Sequence, residues 1–145
     1  MKRIAIILLS LVLASTSFAQ GKLVKSSDKK APAWIKKNVD KYEAVKVTHE
    51  SKISLKDAEK GALEQLHDMV VETTVAYIYQ HSVGKKDEAS IKRHVENSSY
   101  VRNISKSTSL DTYWEVRYDK KSGRNSYIYY ILYYFNDMEM KKIAL

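Results

Sequence analysis

The chain has 145 residues, with 25 lysines and arginines against 17 aspartates and glutamates, a formal charge of +8 and no cysteine. That length allows one domain once a targeting segment is set aside. The absence of cysteine excludes disulfides, thiolate nucleophiles and thiolate metal sites, and four glycines are too few for a phosphate-cradling loop.

Met1-Lys2-Arg3 is a short basic start, Ile4 to Ala14 is an apolar core, and Ser17-Phe18-Ala19 places small residues at the −3 and −1 positions. This is the pattern of a secretory signal peptide, residues 1–19, with cleavage after Ala19. Its apolar run is short for a membrane span, and no later apolar run is long enough. Cleavage exposes Gln20 and lowers the formal charge from +8 to +6 by removing Lys2 and Arg3. The expected product is periplasmic or secreted, with no transmembrane span. Its roughly 120 residues can bury a single core without staples.

Residues 20–31 are polar, charged and aperiodic, and read as a flexible lead-in. The single domain then spans 32–145, entered through Pro32-Ala33-Trp34-Ile35. Trp34 is either a binding aromatic or a cap on the edge of the core. Tyr42 to Ile53 alternates: Val45, Val47, His49, Ser51 and Ile53 share a packed face, and Lys46, Thr48, Glu50 and Lys52 a wet one. Ser54 then caps a long helix reaching about Gln80. Its apolar stripe runs through Ala58, Ala62, Leu66, Met69 or Val70, Thr73 and Ala76 or Tyr77.

Gly84 breaks the pattern. A weaker surface helix follows at Lys86–Asn97, contacting the body through Ala89, Ile91 and Val95. Tyr100 to Leu110 reads as an edge strand or an irregular segment. Tyr113 to Phe135 is a β-hairpin: an alternating arm with Trp114, Val116 and Tyr118 on one side, a turn at Lys120–Arg124 using Gly123, and an all-apolar second arm from Tyr127. Asn136 or Asp137 caps a short final segment. The fold class is therefore α+β, a long helix packed on a mostly antiparallel sheet of three to four strands.

Pro32-Ala33-Trp34, then Tyr42 opening a strand, a helix with Ala58 and Ala62, and a late hairpin resemble the LPP-twenty lipoprotein family of small bacterial envelope proteins. The resemblance spans about Ala31 to Phe135. It implies a helix on an antiparallel sheet, an envelope location and no known catalytic residues. The chain departs from the family at Gln20, where a lipid-acceptor cysteine is common, and at Glu43-Ala44-Val45, where glycines are usual.

No catalytic constellation is evident. His49, His67, His81 and His94 form no His-x-x-x-His pair, and Glu64-His67-Asp68 reads as a solvated helix face rather than a metal site. No Gly-x-Ser-x-Gly elbow occurs. Paired acids such as Asp57 and Glu59 suit a helix N-terminus. No enzyme activity, cofactor or metal is expected. If Ile128 and Leu132 face the helix, Tyr127, Tyr129 and Tyr133 line the opposite face, beside Lys120, Lys121 and Arg124 on the turn. With Trp34, these seven residues are the candidate binding set. The expected function is a non-catalytic envelope binding or assembly module, meeting another envelope protein or its own copy through an aromatic face or a sheet edge. The alternatives are a polyanion or membrane-surface binder, from the positive charge, and a small exported hydrolase. Export argues against a nucleic-acid partner.

Overall fold

The structure is a computed structural model that describes residues 21–40, 43–81, 87–107 and 109–144. The expected signal peptide, Gln20, Tyr42 and Gly84 lie outside the described residues. Four strands form one antiparallel sheet in the order β1-β3-β4-β2: β1 is Lys22–Ser26, β2 Ala44–Ser51, β3 Leu110–Asp119 and β4 Arg124–Tyr134. Helix α1, Leu55–His81, lies across β2 and β4, flanked by α2, Glu88–Asn97, and the single turn α3, Ser99–Arg102. A 3-10 turn at Ile104–Lys106 leads into β3, and α4, Asp137–Ala144, ends the fold. The architecture is the expected α+β arrangement, and the described helices include none long and apolar enough to cross a membrane.

Strand β4 has both faces covered because nearly every side chain along it is apolar or aromatic. Directly opposed residues share a face. Val45 opposes Tyr133 and Val47 opposes Ile131, and all four join the core under α1 with Leu66 and Val70. Ile128 and Tyr130 point the other way, onto Tyr113, and are roofed by Trp34 and Ile35 of the 3-10 turn Ala33–Ile35. Lys46 straps that roof down, its Nζ donating to the Ile35 carbonyl at 2.9 Å and the Lys37 carbonyl at 2.7 Å.

This corrects the expected sheet orientation: Ile131 and Tyr133 face the helix, whereas Ile128 does not. Apolar residues at every position of β4 offer no parity signal, so the register of its neighbours decides the face. The fourth strand is also not where it was expected. Ser99–Arg102 and Ile104–Lys106 form helical turns where an edge strand or an irregular segment was expected, and Lys22–Ser26 of the supposed lead-in pairs with β3. An edge strand can leave its lysines in water, so the polarity of Lys22 and Lys25 is compatible with pairing.

The N-terminus of α1 is capped as read, with the Ser54 hydroxyl accepting from the Asp57 N–H at 3.1 Å. Its stripe holds through Ala58, Ala62, Leu66 and Val70, then shifts to Val71, Thr74, Val75 and Ile78. Thr73 is only half-buried, and Met69 and Ala76 are exposed. A four-residue spacing drifts about 40° per step around a 3.6-residue helix. The buried face therefore turns toward α2, whose Ile91 and Val95 join the same core. Ala89, expected to pack, is exposed, and so is Ile53, at 77 %.

Gly61 marks a close approach of α1 to the sheet. A Cβ there would lie 2.2 Å from Nε2 of His49 and within 2.7 Å of two further ring atoms. Alanine normally strengthens a helix over glycine by about 1 kcal/mol, but here overpacking costs about 1–3 kcal/mol. Gly61→Ala should therefore destabilise the protein when His49 is present and stabilise it in a His49→Ala background. Urea unfolding of the four proteins of that cycle checks the change of sign. Thr74 is fully buried, and its hydroxyl has no hydrogen-bond partner among the described residues. Thr74→Val keeps the shape and should stabilise by about 1 kcal/mol in the same measurement.

Candidate functional site

The seven residues singled out from the sequence do not converge. Tyr133 is 1 % exposed and donates its hydroxyl hydrogen to Tyr100 Oη. Tyr127 and Tyr129 are half-buried on the helix side, opposite Ser51 and His49. Trp34 lies on the other side of the sheet. The expectation of an open tyrosine face is thus corrected for Tyr127, Tyr129 and Tyr133, since residues that share a face with Val45 and Val47 are drawn under α1. Lys120, Lys121 and Arg124 are exposed at the hairpin tip. There Asp119 opposes Arg124, and Gly123 takes a φ of +66°, donating its N–H to the Asp119 carbonyl at 2.9 Å.

Among the described residues, β1 and β2 are the edge strands of the sheet, and the edge at β1 exposes apolar side chains. Leu23 is 45 % exposed and Val24 59 %, and Tyr118 on the neighbouring strand is 40 % exposed. The pairing of β1 with β3 shifts register between Leu23 and Lys25, so Val24 occupies a bulge. Lys25 carries its ammonium over the Trp114 ring, 5.9 Å from the centroid. Past the strand, Ser27 donates its N–H to the Trp114 carbonyl at 3.0 Å, and its Oγ accepts from the Trp114 N–H at 3.1 Å. The sequence hid this edge because charged neighbours mask a two-residue apolar core. The Leu23-Val24 pair between lysines was the one signal for it.

A buried polar network holds the edge in place from the roofed side of the sheet. Glu115 is 4 % exposed and accepts from Arg117 at both oxygens, from Nε at 2.7 Å and from Nη2 at 3.2 Å. The Tyr130 hydroxyl donates to the same carboxylate at 3.0 Å. Arg117 Nη1 then reaches the Gly21 carbonyl at 3.0 Å, at the start of β1. A bidentate arginine suits this task because its planar fork bonds the acid while another N–H remains to tether the backbone. Burial pushes the Tyr130 hydroxyl well above the ordinary tyrosine pKa, and the charge of Glu115 raises it further. Burial also raises Tyr129, partly offset by its hydrogen bond to Thr112.

A groove of about 910 Å³ runs beside the first half of α1, with Ile53, Leu63, Val101 and Ile104 on its walls. Its charged residues are of both signs, Lys56 and Lys60 against Glu59 and Glu64 among them, so no single charge is favoured there. His67 Nδ1 lies 3.3 Å from Asp68, and among the described residues no group of three or more histidines and acids is arranged to hold a metal ion. Comparison of the chain with protein-family models, with curated proteins and with solved structures returns no match.

The raised pKa of Tyr130 links folding to alkaline pH. A group whose folded-state pKa is raised contributes stability that is complete below its unfolded value, near 10, and is lost as pH rises through the folded value. Unfolding free energy should therefore fall as pH rises above about 10, and the fall should be shallower in Tyr130→Phe. Urea titrations at a series of alkaline pH values compare the slopes; equal slopes would rule out Tyr130 as a source.

Proposed function

We propose that the protein is a non-catalytic binding or assembly module of the bacterial envelope, and that it takes up a partner segment along the β1 edge. One observation carries this reading: an edge strand with Leu23 and Val24 exposed at 45 % and 59 %, beside Tyr118 at 40 %. An open edge supplies backbone donors and acceptors for an added strand, and flanking apolar side chains supply contact area and selectivity. The bulge at Val24 and the lysines on either side restrict the addition to a short segment and oppose indiscriminate stacking. The partner is another envelope protein or a second copy of the chain. Export rests on the signal-like residues 1–19, and the envelope location also on the LPP-twenty resemblance.

The double variant Leu23→Thr/Val24→Thr keeps β-branched or strand-compatible side chains while removing apolar area. Crosslinking in the native envelope, followed by affinity recovery and mass spectrometry, should show partner recovery or self-crosslinking reduced roughly tenfold, a change of about 1.4 kcal/mol. Undiminished recovery from a variant with an unchanged melting temperature would remove the β1 edge from consideration.

A further inference from the structure

A second cavity, of about 610 Å³, opens where α2, the 98–107 segment, β4 and α4 meet, with that segment between it and the α1 groove. Its ionisable walls are His94, Lys106 and Lys142 with the tyrosines Tyr100 and Tyr133, and no described carboxylate lines it. The α1 groove, by contrast, is lined by Asp57, Glu59, Glu64 and Asp68 as well as by lysines. Lys106 and Lys142 are 36 positions apart in sequence, so only the fold brings them to one cavity. Neither takes part in an ion pair among the described residues.

Hydroxyl donors complete the lining. Ser107 Oγ accepts from the Ser109 N–H at 3.1 Å, which leaves its own hydrogen to donate. Ser99 adds another hydroxyl to the lining. Tyr133, 1 % exposed, and Ile143, 7 % exposed, also line it, so part of the lining is shielded from water. Low-dielectric walls strengthen the field of the lysines inside the concavity. His94 Nε2 lies 2.6 Å from the Ile143 carbonyl and donates to it. That bond ties the end of α4 to α2 next to Lys142, which makes His94 a positioning residue.

We propose that this cavity binds a phosphate group, with Lys106 and Lys142 as its cationic ligands and the Ser99 and Ser107 hydroxyls as neutral donors. Lysine serves phosphate as a compact point charge, and a tetrahedral oxyanion can accept from donors converging on several sides. Inorganic phosphate and the phosphate of a lipid headgroup share this chemistry. The inference does not rest on strand addition at β1, and Leu23→Thr/Val24→Thr should leave it intact.

The test is titration of the isotopically labelled protein with inorganic phosphate, followed through its amide resonances, with chloride at matched ionic strength as the control. Saturable shifts confined to the residues around Lys106, Ser107 and Lys142 are expected. Lys106→Gln/Lys142→Gln should weaken them at least tenfold, while Lys120→Gln/Lys121→Gln, at the hairpin tip, should not. Sedimentation with phosphatidylglycerol vesicles separates the sources. Vesicle binding that free phosphate competes away and the Lys106/Lys142 variant loses identifies a headgroup, whereas phosphate shifts without vesicle binding identify a soluble phosphate. An equal response to chloride, shifts located elsewhere in the wild-type protein, or equal affinity in the two double variants would overturn the proposal.

Discussion

The structure depends on the requirement that β4 be covered on both sides. Tyr133 and Ile131 need the helix layer, and Ile128 and Tyr130 need a roof on the opposite face. A single long helix can satisfy only the first. The second falls to the 3-10 turn carrying Trp34 and Ile35, a segment too short to fold alone, which Lys46 holds through two backbone carbonyls. The entrance to the domain is therefore part of its core.

The same roofed face contains Glu115, whose burial would be costly without partners. Arg117 and Tyr130 satisfy it, and Arg117 uses a remaining donor to tether Gly21. Position and charge are thus coupled: the residue that neutralises a buried acid also aligns the first strand. The open edge with Leu23 and Val24 is a consequence, since β1 is held from the β3 side and has no described neighbour strand on the other. The proposed assembly surface and the basic cavity near α4 occupy different parts of the fold. One offers backbone pairing and apolar contact, the other two lysines lining one cavity.

Much of this was legible in the sequence. Alternation identified β2, the Ser54 cap and four-residue spacing identified α1, and Gly123 identified the hairpin turn. Each of these signals is local: a residue's preference depends on a period or a dihedral that neighbours in the chain supply. His49 was placed on the packed face of its strand, and it packs half-buried against Gly61. The candidate surface was less legible. The tyrosines were visible, but their direction was not, because a strand apolar at every position looks the same in either orientation.

By itself, then, the sequence determined the α+β class, the long capped helix, the hairpin and a cysteine-free core. Only the tertiary structure decided which face of β4 meets the helix, since that follows from pairing with Val45 and Val47 rather than from any pattern within the strand. It also decided that Lys22–Ser26 is a strand, because the stabilising partner, β3, lies about 90 residues away. The gathering of Lys106 and Lys142 around one cavity belongs to the same category. Local periodicity encodes elements, whereas edges and cavities arise where distant elements meet or fail to meet.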